Sequence, residues 1–148
     1  MFAKPGQATS PSLTLKRRLD AAPAKVYAAW TEPAQIMQWF GPAGAEMISA
    51  EADVRVDGRF RMIFTTPDGE NHNVSGTYLE VEPDRKLVFT WMWITLPDRQ
   101  SQVTISLKPD GDGCMLTLTH EKFFDEAARD GHNRGWTGAL DKLEAYVA

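Results

Sequence analysis

The chain is 148 residues long, 43% hydrophobic and 24% charged, with 16 Lys+Arg against 20 Asp+Glu for a net charge of -4. That is one globular domain's worth of sequence with enough apolar content for its own core, and its acidic balance argues against a general affinity for nucleic-acid phosphates or anionic membranes. The single cysteine, Cys114, excludes an internal disulfide and a multi-cysteine zinc site, and no run approaches the roughly 20 apolar residues of a membrane-spanning helix.

Residues 1–12 are rich in Pro, Gly, Ser and Thr and have no apolar stretch of the signal-peptide kind. They read as a disordered tail ahead of one domain over residues 13–148. A reduced thiol without an export signal points to the cytoplasm. Leu13 to Leu19 alternates apolar and polar residues, the pattern of a half-buried strand. Asp20 is placed to cap a helix opening near Pro23, with Val26, Tyr27 and Trp30 as its apolar stripe. A second short helix is expected from Pro33 through Ile36, Met37 and Phe40, ended by Gly41-Pro42.

Six strand-like runs follow, at Glu46–Val56, Arg59–Thr66, Asn73–Glu82, Lys86–Ile94, Ser101–Lys108 and Cys114–Glu121. Asp57-Gly58, Asp68-Gly69 and Asp110-Gly111 are tight-turn signals between successive runs, and Pro83-Asp84 and Pro97-Asp98 mark the other two links. Links this short make hairpins, so the middle of the chain predicts an antiparallel meander and excludes parallel strands joined by helices. From Asp125 the period changes to a helical one, with Ala128, His132, Trp136, Leu140, Leu143 and Tyr146-Val147 on one face. The predicted class is α+β: about seven antiparallel strands, two short helices after the first, and a sheet curved around the long C-terminal helix.

This order resembles the helix-grip fold of the START-like (SRPBCC) superfamily. The local signatures resemble the branch similar to the C-terminal domain of the activator of the ninety-kilodalton heat-shock protein's ATPase. The match is carried by Trp30-Thr31-Glu32-Pro33 and Trp39-Phe40-Gly41-Pro42, by Asp53 and Arg55 to Phe60, and by Gly76-Thr77-Tyr78. Pro83 to Val88, Thr117 to His120, and Gly135-Trp136 with Leu140 and Leu143 complete it. Much of this is a recipe for the fold. Trp30 and Trp39 suit the locking of short helices onto the sheet rim. Gly58, Gly76 and Gly135 suit turns or close approaches, Gly135 between the helix and the sheet.

The resemblance implies that a cavity between the long helix and the sheet is a candidate ligand site. Alternation assigns its walls: Phe60, Met62 and Phe64 on one strand, Tyr78 with Val74 and Gly76 on the next, then Leu87, Phe89, Trp91 and Trp93. Val103, Ile105 and Leu107 share a further face, and Leu116, Leu118 and His120 another, while the helix adds His132, Trp136 and Leu140. The same stripes equally describe a solid core, although aromatic and Met side chains also make adaptable walls.

His120 is the polar residue of most interest, either as a base or ligand-holding group or as a core histidine satisfied by a neighbouring polar group. His132 is placed to approach it. Two histidines with Glu121 or Asp125 suggest a metal, but no ligand spacing supports one, and neither a metal nor a cofactor is expected. Tyr78 and Glu80 share a predicted face, as a ligand partner and an acid or as packing and a rim carboxylate. Arg61 is expected on the outer face pairing with an acid, and Cys114 has no cationic neighbour in sequence of the kind that activates a thiol. Phosphate-loop, serine-hydrolase and zinc-protease motifs are absent.

Three readings of function follow. The first is a binding protein for a hydrophobic small molecule. The second is a pocket enzyme of the cyclase or dehydratase sort, using His120, Tyr78 or Glu80. The third, implied by the resemblance alone, is an interaction module for a chaperone partner in the stress response, although shared fold is not shared job. Monomer and homodimer both fit the sequence.

Overall fold

The computed structural model describes residues 10–148, so residues 1–9 of the expected tail lie outside the described residues. The chain runs β1 (Leu13–Leu19), α1 (Pro23–Thr31), α2 (Pro33–Trp39), β2 (Glu46–Ala52), β3 (Arg59–Thr65), β4 (Asn71–Glu82), β5 (Lys86–Trp93), β6 (Ser101–Asp110), β7 (Gly113–Glu121) and α3 (Glu126–Val147). The seven strands form one antiparallel sheet in the order β1-β7-β6-β5-β4-β3-β2. Strands β1 and β2 are its opposite edges, so α1 and α2 carry the chain from one edge to the other. The sheet curls into a half-barrel around α3, which buries Trp136, Ala139, Leu140, Leu143 and Val147 against it. This is the helix-grip arrangement.

Local chemistry explains most boundaries. Pro23 and Pro33 open the two short helices, where a missing N–H costs nothing. Asp125 caps α3 by accepting the Ala128 N–H at 2.8 Å. Asp20 does not cap α1: the N-cap is Ala22, with no side-chain bond, and the Asp20 carboxylate lies 3.8 Å from the Arg18 guanidinium. Gly69 and Gly111 take the positive φ that their tight hairpins need, at 86° and 60°. Asp57-Gly58 does not make such a hairpin. Strand β2 stops at Ala52, and a six-residue loop follows in which Asp57 itself carries the positive φ, 71°.

Two departures from simple alternation lie on β4. The register with β5 shifts between Tyr78 and Glu80, pushing Leu79 outward and sending Val81 toward the core. Glu80 therefore leaves the face of Tyr78 and pairs with Lys86 at 3.1 Å on the surface. A Cβ on Gly76 would sit 1.8 Å from the Thr90 carbonyl oxygen, so the β5 backbone, rather than a helix, forbids a side chain there. Arg61 donates to Asn73 at 2.8 Å rather than to an acid. Tyr146, expected on the inner face of α3, reaches Gln35 on the surface at 3.3 Å.

Candidate functional site

The concave face of the sheet has a dry end and an open end. At the dry end Phe60, Phe89, Tyr78, Trp30, Trp39 and Trp91 pack ring to ring, with centroid separations such as 5.2 Å for Phe60–Phe89 and 4.7 Å for Trp30–Trp39. Among them, with Met62, remains a void of about 20 Å³, the room of one water molecule. At this end the interior leaves no room for a ligand larger than water.

The usable space lies at the open end. A cleft of about 910 Å³ runs between the N-terminal half of α3, the loop after α2, and the ends of β3, β4 and β5. Its apolar floor is Phe40, Phe64, Trp91, Trp93 and Trp136. Along α3 its wall is made of small residues, Ala128, Gly131, Gly135 and Ala139, at helical spacing. The first atom a Cβ on Gly135 would meet is the Pro42 Cβ, 4.0 Å away. The opposite wall, Gly41-Pro42-Ala43, is held to α3 in two ways. Lys142 donates to the Phe40 and Pro42 carbonyls at 3.3 and 3.0 Å, and Gly138 packs against Ala43 so closely that a Cβ would come within 2.7 Å of the Ala43 nitrogen. Burial lowers the Lys142 ammonium pKa.

The expected site residues therefore divide. Phe64, Trp91, Trp93, His132 and Trp136 line the cleft; Phe60, Met62, Tyr78 and Phe89, with Trp91 again, line the small void. Leu140 is fully buried in the core and lines neither. His120 is also fully buried, beside the cleft rather than in it.

Behind the floor, the histidines and tryptophans form a directed network. An indole N–H can only donate, so Trp136 donates to His120 Nδ1 at 3.0 Å and leaves the imidazole proton on Nε2. Nε2 donates to the Ser101 hydroxyl at 2.7 Å, and that hydroxyl donates to the Trp91 carbonyl at 3.4 Å. His132 has the opposite tautomer. Its Nδ1 donates to the Ala128 carbonyl at 2.7 Å, and its Nε2 accepts from both Trp91 and Trp93, at 3.2 and 3.0 Å. The two rings lie 4.9 Å apart. Burial holds both neutral, pushing His120 down to about 2 with His132 adding to the effect, and lowering His132 as well.

The lone pair of each imidazole is occupied by indole donors, so neither is poised as a base or a metal ligand in this arrangement. Burial raises the Tyr78 phenol and the Cys114 thiol, keeping both protonated. His120, Tyr78 and Glu80 do not meet around a common space. Asp68, Glu70 and His72 do bring ligand atoms within 4.8 Å of one another. That proximity is the hairpin's own construction, because one Asp68 oxygen accepts from the Thr66 hydroxyl and the Glu70 N–H.

Sequence patterning did not single out His72, Arg99 or Arg134, which also line the cleft. Arg99 and Arg134 sit on a loop and on an exposed helix flank, where periodicity carries no message. One signal was readable: small residues repeat along one face of the last helix, at Ala128, Gly131, Gly135 and Ala139.

Known proteins share this fold. Protein CV1439 from Chromobacterium violaceum is similar in structure, with a TM-score of 0.84 and 31% identity over 92% of this chain and 96% of that one. The AHSA1 protein SPO3351 from Silicibacter pomeroyi matches with a TM-score of 0.82 and 28% identity, covering 91% of this chain and 96% of its own. CalU16 from Micromonospora echinospora matches at 0.69 and 29%, over 94% of this chain and 77% of that one. No curated protein matches. The family described as activator of Hsp90 ATPase homolog 1-like protein matches residues 20–148, nearly the whole described chain, and the chain belongs to that family.

Proposed function

We propose that this protein binds a flat apolar small molecule in the cleft between the N-terminal half of α3 and the ends of β3 to β5. The observation that carries this reading is the cleft itself, about 910 Å³ floored by aromatic rings. Clefts of this size with apolar floors and polar groups at their margins are where proteins hold small ligands. The indole N–H groups behind the floor already have partners in His120 and His132, so the half-buried ring of Trp93 offers a ligand apolar surface, backed by the buried rings of Trp91 and Trp136. The small-residue stripe on α3 keeps that space open. The domain's role is therefore to hold or carry a ligand.

The test uses 1-pyrenebutanol, a neutral polycyclic probe that quenches tryptophan emission at close range. Saturable quenching is expected for the native protein. In Gly135→Leu, whose side chain would extend into the cleft, affinity is expected to fall at least about tenfold while the fold remains intact. Quenching that does not saturate, or that is the same in Gly135→Leu, overturns the reading.

A further inference from the structure

We infer that the ligand of the cleft is an organic anion, an apolar ring system bearing a carboxylate, held by Arg99 and Arg134. This rests on the reading of the cleft as a ligand site. Four charged side chains line it: Arg99, Arg134, Asp68 and Asp125. The two carboxylates keep their charge, but each has an oxygen turned to the backbone of the fold. Asp125 accepts the Ala128 N–H at the start of α3, and Asp68 closes the β3–β4 hairpin by accepting the Glu70 N–H at 3.0 Å.

The two guanidiniums are not so engaged. Neither makes an ion pair or hydrogen bond among the described residues, a condition they share with Arg59, whereas Arg17, Arg18, Arg55, Arg85 and Arg129 each reach a carboxylate at 2.8 to 3.6 Å. What separates Arg99 and Arg134 from Arg59 is their place: both border the aromatic-floored cleft, where their free N–H groups are available to an anionic ligand.

Their surroundings suit that role. The Arg99 guanidinium carbon lies 3.9 Å from the centre of the Phe124 ring, a cation–π contact that holds the side chain and uses none of its N–H groups in a hydrogen bond. Arg134 lies along α3 beside Gly131, where a Cβ would be 3.8 Å from its terminal nitrogen. A guanidinium presents parallel N–H donors that match a carboxylate, and the aromatic floor supplies the apolar remainder of the contact. The ligand would place its rings against Trp93, the half-buried ring of the floor, and its carboxylate toward the arginines.

The experiment compares 1-pyrenebutyrate with 1-pyrenebutanol, which share a ring system and differ in charge, by titration of tryptophan fluorescence. The acid is expected to bind about tenfold more tightly than the alcohol, and added salt is expected to narrow that gap. In the double variant Arg99→Gln/Arg134→Gln the preference is expected to disappear while the affinity for the alcohol is retained. Equal affinity of acid and alcohol for the native protein overturns the anion inference and leaves the cleft reading standing, as does an acid preference that survives in the double variant. Failure of both probes to bind overturns the cleft reading and this inference with it.

Discussion

Acidification should weaken this fold through His120, well above the range in which ordinary carboxylates titrate. The ring is fully buried and stays neutral in the native state, its pKa pushed down to about 2 by burial first and by His132 second. In the unfolded chain the same ring titrates near its ordinary value of about 6.5. Between those two values the unfolded chain binds a proton that the native state refuses, so stability rises with pH across the window. The contribution is fully present above about pH 6.5 and is lost progressively toward about pH 2. From about pH 7 to pH 5, His120 alone removes about 2 kcal/mol, a fall in Tm of roughly 4–8 °C for a chain of this size. His132, also lowered by burial, acts with the same sign. The assay is urea unfolding followed by tryptophan emission at several pH values in that interval. His120→Gln is the informative control, because an amide can still accept from Trp136 and donate to Ser101 but does not titrate. Its stability should fall less steeply on acidification, by up to about 1.4 kcal/mol per pH unit below the histidine's unfolded pKa. An equal slope in the two proteins would refute the assignment of His120 as a buried neutral imidazole.

Three further predictions concern the cleft walls and what holds them. Gly135→Ala should raise stability by roughly 0.5–1 kcal/mol in thermal or urea unfolding, since its Cβ would make only an ordinary contact with the Pro42 Cβ at 4.0 Å and helix propensity improves. Gly138→Ala, three residues along the same helix, should lower stability despite the same gain in propensity, because its Cβ would lie 2.7 Å from the Ala43 nitrogen; matched changes in the two variants would be inconsistent with that contact. Lys142→Met should cost about 1–3 kcal/mol by releasing the Phe40 and Pro42 carbonyls, and hydrogen exchange over residues 40–45 should accelerate.

Strand existence, helix existence and the antiparallel order were readable because they depend on local periods and turn residues. Leu116, Leu118 and His120 alternate on β7 and all three are fully buried; Asp125 begins the last helical run and caps it. Alternation failed where the backbone left its regular pleat. The shift after Tyr78 turned Glu80 out to Lys86, and the loop after Ala52 moved the positive φ onto Asp57.

The candidate site was less legible than the fold. The aromatic residues were recognisable as inward-facing, but their division between a packed interior and an open cleft was not. That division depends on how closely α3 approaches the sheet at each end, and residues distant in sequence set the approach. Gly138 admits Ala43 from the loop after α2, and Lys142 ties down the carbonyls of Phe40 and Pro42. Indole donors from β5 and α3 determine the tautomers of His132 and His120, which no residue pattern encodes. Arg99 and Arg134 reach one cleft from a loop and a helix 35 positions apart in the chain. Local spacing therefore determined which elements form and which faces they bury. The tertiary structure alone decided where the remaining space lies and which charges border it, because both follow from the packing of side chains remote in sequence.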